Sequence, residues 1–167
     1  MQFREATLDD TKEIVELINI AYRGEDGWST ENSLVSGDRT TENEVISYLY
    51  NPKSHLFVLA NSLVKAVICV EEQEEVAYIG FFSVHPSLQG QGIGKRVLTF
   101  AEDFAYKSLN FTHFKMAVLA DRGELINFYL RRGYQKTEQT IAYPKDLNVG
   151  TPKREDLTVI YLEKKVE

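Results

Sequence analysis

Cysteine is almost absent from this chain: Cys69 stands alone among 167 residues, so no internal disulfide can form and a disulfide-stapled scaffold is excluded. Basic residues are also in deficit, with 19 Lys and Arg against 25 Asp and Glu and a formal net charge of −6. A general nucleic-acid binder must neutralise many phosphates, and this balance disfavours one. It is compatible with a cationic partner such as an amine. No apolar run approaches the roughly 18 residues of a membrane span. The opening Met1-Gln2-Phe3-Arg4-Glu5 leads into an acidic stretch without an apolar signal core. A cytoplasmic protein without membrane partners is the expectation. The three histidines, His55, His85 and His113, are scattered, and no His/Cys group has metal-ligand spacing, so no metal is expected.

What is present suits one domain spanning residues 1–167, with 43% hydrophobic and 26% charged residues arguing against long disorder. Phe3–Thr7 reads as a strand. A helix follows from about Asp9 to Tyr22, opened by a box of Asp10 and Glu13. Arg23–Arg39 is polar and carries three glycines, which predicts a loop. Thr41 and Glu44 open a second helix, stopped by Pro52. Leu56–Ala60, Leu63–Val70 and Val76–Val84 form an antiparallel meander, split by Asn61-Ser62 and the acidic Glu71–Glu75. Then come a helix from Gln91 to Lys107, a strand at Phe114–Leu119 and a helix at Glu124–Arg132 capped by Gly133. Two strands near Tyr134–Tyr143 and Leu157–Leu162 flank a surface loop at Pro144–Arg154.

The informative segment is Val84-His85-Pro86-Ser87-Leu88-Gln89-Gly90-Gln91-Gly92-Ile93-Gly94-Lys95, a strand running through a glycine-rich turn into an amphipathic helix. Glycines let backbone approach a ligand, and the first N–H groups of a helix attract anions. A Walker A loop needs a glycine where Gln89 stands and Ser or Thr where Arg96 stands, and it fails at both. A dinucleotide fingerprint starting at Gly90 finds Lys95 at its third glycine, after a meander strand rather than within a βαβ unit.

Gln89-Gly90-Gln91-Gly92-Ile93-Gly94 instead resembles the Q/R-x-x-G-x-G/A signature of the GNAT acetyltransferase superfamily, and the order of elements is similar over nearly the whole chain. The resemblance implies an α/β (α+β) three-layer fold, with a central mixed, mostly antiparallel and splayed sheet flanked by helices. It implies acetyl-CoA as co-substrate, its pantetheine along Phe82–Val84 and its pyrophosphate on Gln89, Gly90, Gln91, Gly92, Ile93, Gly94 and Lys95. Arg122–Tyr134 resembles the second motif of that family, which makes Tyr129 the candidate acid for the CoA sulfur. The family often has Asn where Arg122 stands. Many members carry a Glu on the strand before the phosphate loop, but Val76–Val84 contains no acid and the base stays open, with His85 and Glu31 as candidates.

Trp28 and Glu31, with Arg39 in Gly37-Asp38-Arg39-Thr40, sit where such proteins shape the acceptor pocket. Trp28 can stack on the acceptor, Glu31 attract an ammonium and Arg39 clamp a carboxylate. Alternatively, Trp28 anchors a loop that a Glu31–Arg39 pair holds. The function implied is acetyl transfer to a primary amine of a small molecule by direct attack in a ternary complex. A non-catalytic acyl-CoA sensor and a protein N-terminal or lysine acetyltransferase are the alternatives. A homodimer is compatible with all three.

Overall fold

In the computed structural model, residues 1–23, 35–144, 150–153 and 157–167 are described. In chain order they form β1 (Gln2–Glu5), α1 (Thr11–Arg23), β2 (Val35–Ser36), α2 (Glu42–Tyr50), β3 (Ser54–Ala60), β4 (Val64–Gln73) and β5 (Val76–Val84). The series continues with α3 (Ile93–Lys107), β6 (His113–Leu119), α4 (Gly123–Leu130), β7 (Gln135–Ala142), β8 (Thr151–Pro152) and β9 (Thr158–Lys165). Seven strands make one sheet in the order β1-β3-β4-β5-β6-β9-β7, all antiparallel except the β5–β6 pair, while β2 and β8 form a separate ribbon. This is the mixed, mostly antiparallel sheet that the sequence predicts.

Helices cover both faces, because each presents one apolar stripe. Ile14, Leu17 and Ile18 of α1 and Val45 of α2 pack with Val58, Val67, Cys69 and Phe81 on one face. Val97, Leu98, Ala101 and Ala105 of α3 and Ile126 of α4 pack with Leu59, Ile68, Ile79 and Phe114 on the other. Four helices and a sheet thus make three layers.

The differences from the sequence reading are local. The first helix begins at Thr11, close to the expected start, but a 3-10 turn at Leu8–Asp10 precedes it and the Asp10–Glu13 box does not form. There Asp10 caps Thr7: the Thr7 N–H donates to Asp10 Oδ2 at 2.8 Å. Glu13 instead accepts from the Val64 N–H at 2.9 Å, tying α1 to the start of β4. The acids Glu71 and Glu72, read as a break, continue β4, where Glu71 pairs with both β3 and β5 and the strand's end is only partly buried. The two expected loops each contribute a strand to the β2–β8 ribbon, a long-range pairing of two residues per side that carries no periodic signal. The α3 helix starts at Ile93 rather than Gln91, since Gly92 adopts the left-handed conformation as its N-cap.

Arg4 grips Asp10 with both terminal nitrogens, at 2.7 and 2.9 Å, linking β1 to the start of α1. The Arg4 hydrogen bond, with that from Thr7, holds the Asp10 carboxyl below its ordinary range despite burial. A lowered folded-state value means the pairing stabilises above the unfolded value of about 3.9 and fades as pH falls through the folded one. Asp10→Asn should therefore lower stability at pH 7 by about 1 kcal/mol in urea unfolding, as for other lost caps. That deficit should shrink at pH 3. An equal deficit at both pH values would contradict it.

Candidate active site

Strands β5 and β6 pair only at Ala77–Phe114 and Tyr78–Lys115, then separate. The other edge of β5 explains the divergence. Between Cys69–Gly80 and Val67–Ser83 the register with β4 shifts, leaving one extra residue on β5. Phe81 takes up this bulge at φ +51°, a costly conformation for an aromatic residue. Its ring is buried, met edge-on by Tyr48 at 5.0 Å and covered by the Arg39 guanidinium at 4.9 Å. Packing therefore maintains the strain, and the gap between β5 and β6 opens beside it.

Two clefts enter this gap. The first, of about 380 Å³, is walled by Phe82, Ser83 and Val84 of β5, by Gln89, Gly90, Gly92, Gly94 and Lys95 of the glycine turn, and by α4. Gly90 and Gly92 have φ +83° and +78°, and among the described residues, their chain neighbours aside, no atom lies within 4 Å of where either Cβ would stand. Backbone there is open to an incoming group. The first intrahelical bond of α3 runs from the Arg96 N–H to the Gly92 carbonyl at 3.2 Å, so the preceding N–H groups are available to an anion. The Gln89 amide donates to the Val84 carbonyl at 3.1 Å and fastens the turn to the strand end.

Gln91 and Ile93 do not line this cleft. The Gln91 amide donates to the Ser87 carbonyl at 3.3 Å, and Ile93 packs on the core. Arg96 points toward the Phe3 ring, 5.7 Å away. The sequence reading missed the positive charge supplied by Arg131 and Arg132 at the end of α4, and it treated Arg122 only as a departure from a family pattern. Arg122 is 7% exposed at the N-cap of α4 and lines the cleft. The available signal was that cations bracket this helix.

The second cleft, of about 410 Å³, lies on the α1/α2 side and is rich in rings, with Tyr22, Tyr48, Tyr78, Phe81, Tyr143 and Tyr161 in its walls. Both clefts share Tyr22, Phe82, Ala117, Val118 and Tyr129, so they meet at these residues. Tyr129 is 5% exposed, and burial raises its phenol well above the ordinary value. The group keeps its proton through neutral pH and can donate a hydrogen bond at the junction.

Of the acceptor-side candidates, Trp28 and Glu31 lie outside the described residues. Arg39 does line the second cleft. It stands 3.6 Å from Glu44 and is bracketed by Tyr22 and Phe81, yet its buried Nη1 has no hydrogen-bond partner among the described residues. Glu71, which the sequence reading treated only as part of an acidic break, also lines this cleft. Cys69 is buried there, its thiol pushed up to about 12 by desolvation, and stays protonated.

The histidines lie elsewhere. His85 Nδ1 is fixed 2.8 Å from Ser87 Oγ, His55 pairs with Glu72 at 2.7 Å, and His113 pairs with Glu163 at 2.9 Å. Among the described residues no three metal-ligating side chains come together, and no helix is long and apolar enough to cross a membrane.

Solved structures with this architecture are numerous. The ribosomal-protein-S18-alanine N-acetyltransferase of Escherichia coli superposes with a TM-score of 0.72 at 15% identity, covering 99% of this chain and 94% of that one. A ribosomal-protein-alanine N-acetyltransferase of Brucella melitensis gives 0.73 at 15%, covering 99% and 100%. A spermidine N-acetyltransferase variant from Vibrio cholerae gives 0.70 at 13%, covering 99% and 95%. These likenesses show the fold. A search of curated proteins finds no match. The model of the acetyltransferase (GNAT) family matches residues 12–134, from the first helix through the end of the second motif. On that match, together with the splayed sheet and its glycine turn, the chain belongs to the GNAT acetyltransferase family.

Proposed function

We propose that this protein transfers an acetyl group from acetyl-CoA to a primary amine of a small molecule held in the second cleft. The observation carrying this reading is that two clefts, one with an anion-receptive backbone and one with aromatic walls, meet at a protonated tyrosine. The first cleft fits acetyl-CoA. Its glycine turn and helix start suit a pyrophosphate, and the edge of β5 beyond Tyr78, unpaired with β6, suits the amides of pantetheine. The second cleft falls in the volume range of small-molecule sites, which favours a free amine over a polypeptide segment.

At the junction the amine nitrogen attacks the thioester carbonyl. A C–N bond forms as the C–S bond breaks, and net one proton passes from nitrogen to sulfur. Tyr129 donates a hydrogen bond to the departing thiolate. Tyr129→Phe should lower kcat by about 10²–10⁴, the scale of general acid catalysis, with CoA affinity little changed. Because burial raises the phenol, its ionisation should leave no falling limb in the wild-type rate profile below about pH 10. Wild-type kcat in a folded Tyr129→Phe protein, with chemistry rate-limiting, would remove the phenol from the mechanism. Acetyl-CoA binding with no CoA release across an amine panel would favour a sensor instead.

Arg39 supplies the reading of a carboxylate on the acceptor. Its buried Nη1 is 3.6 Å from Glu44 but makes no hydrogen bond among the described residues, and a carboxylate entering the cleft that Arg39 lines would complete its hydrogen bonding. Arg39→Lys keeps the charge and loses the planar fork, so KM for an amino-acid acceptor should rise about tenfold. The decarboxylated amine should be affected much less. Equal losses for both substrates would show that Arg39 serves only to brace Phe81.

A further inference from the structure

Glu71 stands on β4 directly opposite Tyr78 of β5, and its side chain enters the wall of the second cleft. Among the described residues its oxygens take one hydrogen bond, from Gln73 Nε2 at 3.3 Å. No Lys, Arg or His among them forms an ion pair with it, and Arg39, which lines the same cleft, is paired with Glu44. The neighbouring walls are the rings of Tyr48 and Tyr78, with Tyr161 across the cleft. Aromatic faces and an uncompensated carboxylate share one preference, which is for a cation.

Position along the sheet decides which cation. The junction at Phe82 lies beside the bulge opposite Ile68, three residues of β4 from Glu71. At the rise of a strand that is about 10 Å, too far for Glu71 to serve the reacting nitrogen directly. We propose that Glu71 holds a second cationic group, an ammonium or guanidinium, at the distal end of the acceptor. The assignment rests on reading the second cleft as the acceptor site. It makes Glu71 a specificity-determining residue whose effect falls on diamines and not on their monoamine counterparts.

The test compares cadaverine with pentylamine in wild type and Glu71→Gln, measuring CoA release. Wild type should show a KM for cadaverine at least about fivefold below that for pentylamine, and Glu71→Gln should bring the ratio toward one. Glu72→Gln is the control. Glu72 is paired with His55, whose ring packs near Phe104 of α3 on the other face, so the ratio should survive. A wild-type ratio near one, or a ratio unchanged in Glu71→Gln, overturns the proposal. Calorimetry of both amines in the presence of CoA reads the same comparison without turnover. Tighter cadaverine binding by wild type than by Glu71→Gln, with no CoA release, upholds the subsite while the transferase reading fails. Equal cadaverine binding by both proteins overturns the subsite.

Discussion

The site depends on the shortness of one strand pairing. Among the described residues β5 and β6 are the only parallel neighbours in the main sheet, and they share two residue pairs before parting. Backbone groups on facing edges of a gap need partners, and a strand edge left without a neighbour is a template for an extended ligand. The extra residue at Phe81 bends β5 away, and burial of that ring under Arg39 with Tyr48 at its edge keeps the bend in place. Side chains from α1, α2, α4 and both strands then reach one opening.

That opening joins two environments of different chemistry. Toward α3 and α4 it offers backbone N–H groups, open glycines and arginines, which suit phosphate oxygens. Toward α1 and α2 it offers rings with a few charged groups, which suit a compact organic amine. Tyr129 belongs to both walls, and its burial, which raises the phenol, leaves it a neutral donor at the boundary. On the proposed function, the fold would keep the anionic and cationic ends of the chemistry apart until the reacting atoms meet.

Much of this was legible in the sequence because local rules carry it. Glycines at 90, 92 and 94 before an amphipathic run specify a turn entering a helix, and the order of elements carries the family resemblance that implies the sheet. The Asp10–Glu13 box did not form because Asp10 was spoken for by Arg4 and Thr7, partners no spacing rule reveals. Glu71 was missed for a related reason. In sequence it belongs to an acidic break, and only the pairing with Tyr78 puts it in the wall of a cleft. Arg39 was singled out by its neighbours in sequence, while its stacking on Phe81 required the strand bulge to be known. Long-range register, rather than composition, separates what could be read from what could not.

The central claim is that the glycine turn receives the negatively charged pyrophosphate of acetyl-CoA, and Gly92 allows charge to be isolated from shape. Its left-handed conformation is one that Asn and Asp tolerate better than other side chains, and the space around its missing Cβ is open. Calorimetry of acetyl-CoA binding to Gly92→Asn and Gly92→Asp therefore compares two folded proteins of nearly equal shape. Like charges 4 Å apart repel by about 4 kcal/mol at an effective dielectric of 20, so the Asp variant should bind tenfold or more weakly than the Asn variant. Equal affinity of the two variants for acetyl-CoA would contradict the assignment of the pyrophosphate to this turn.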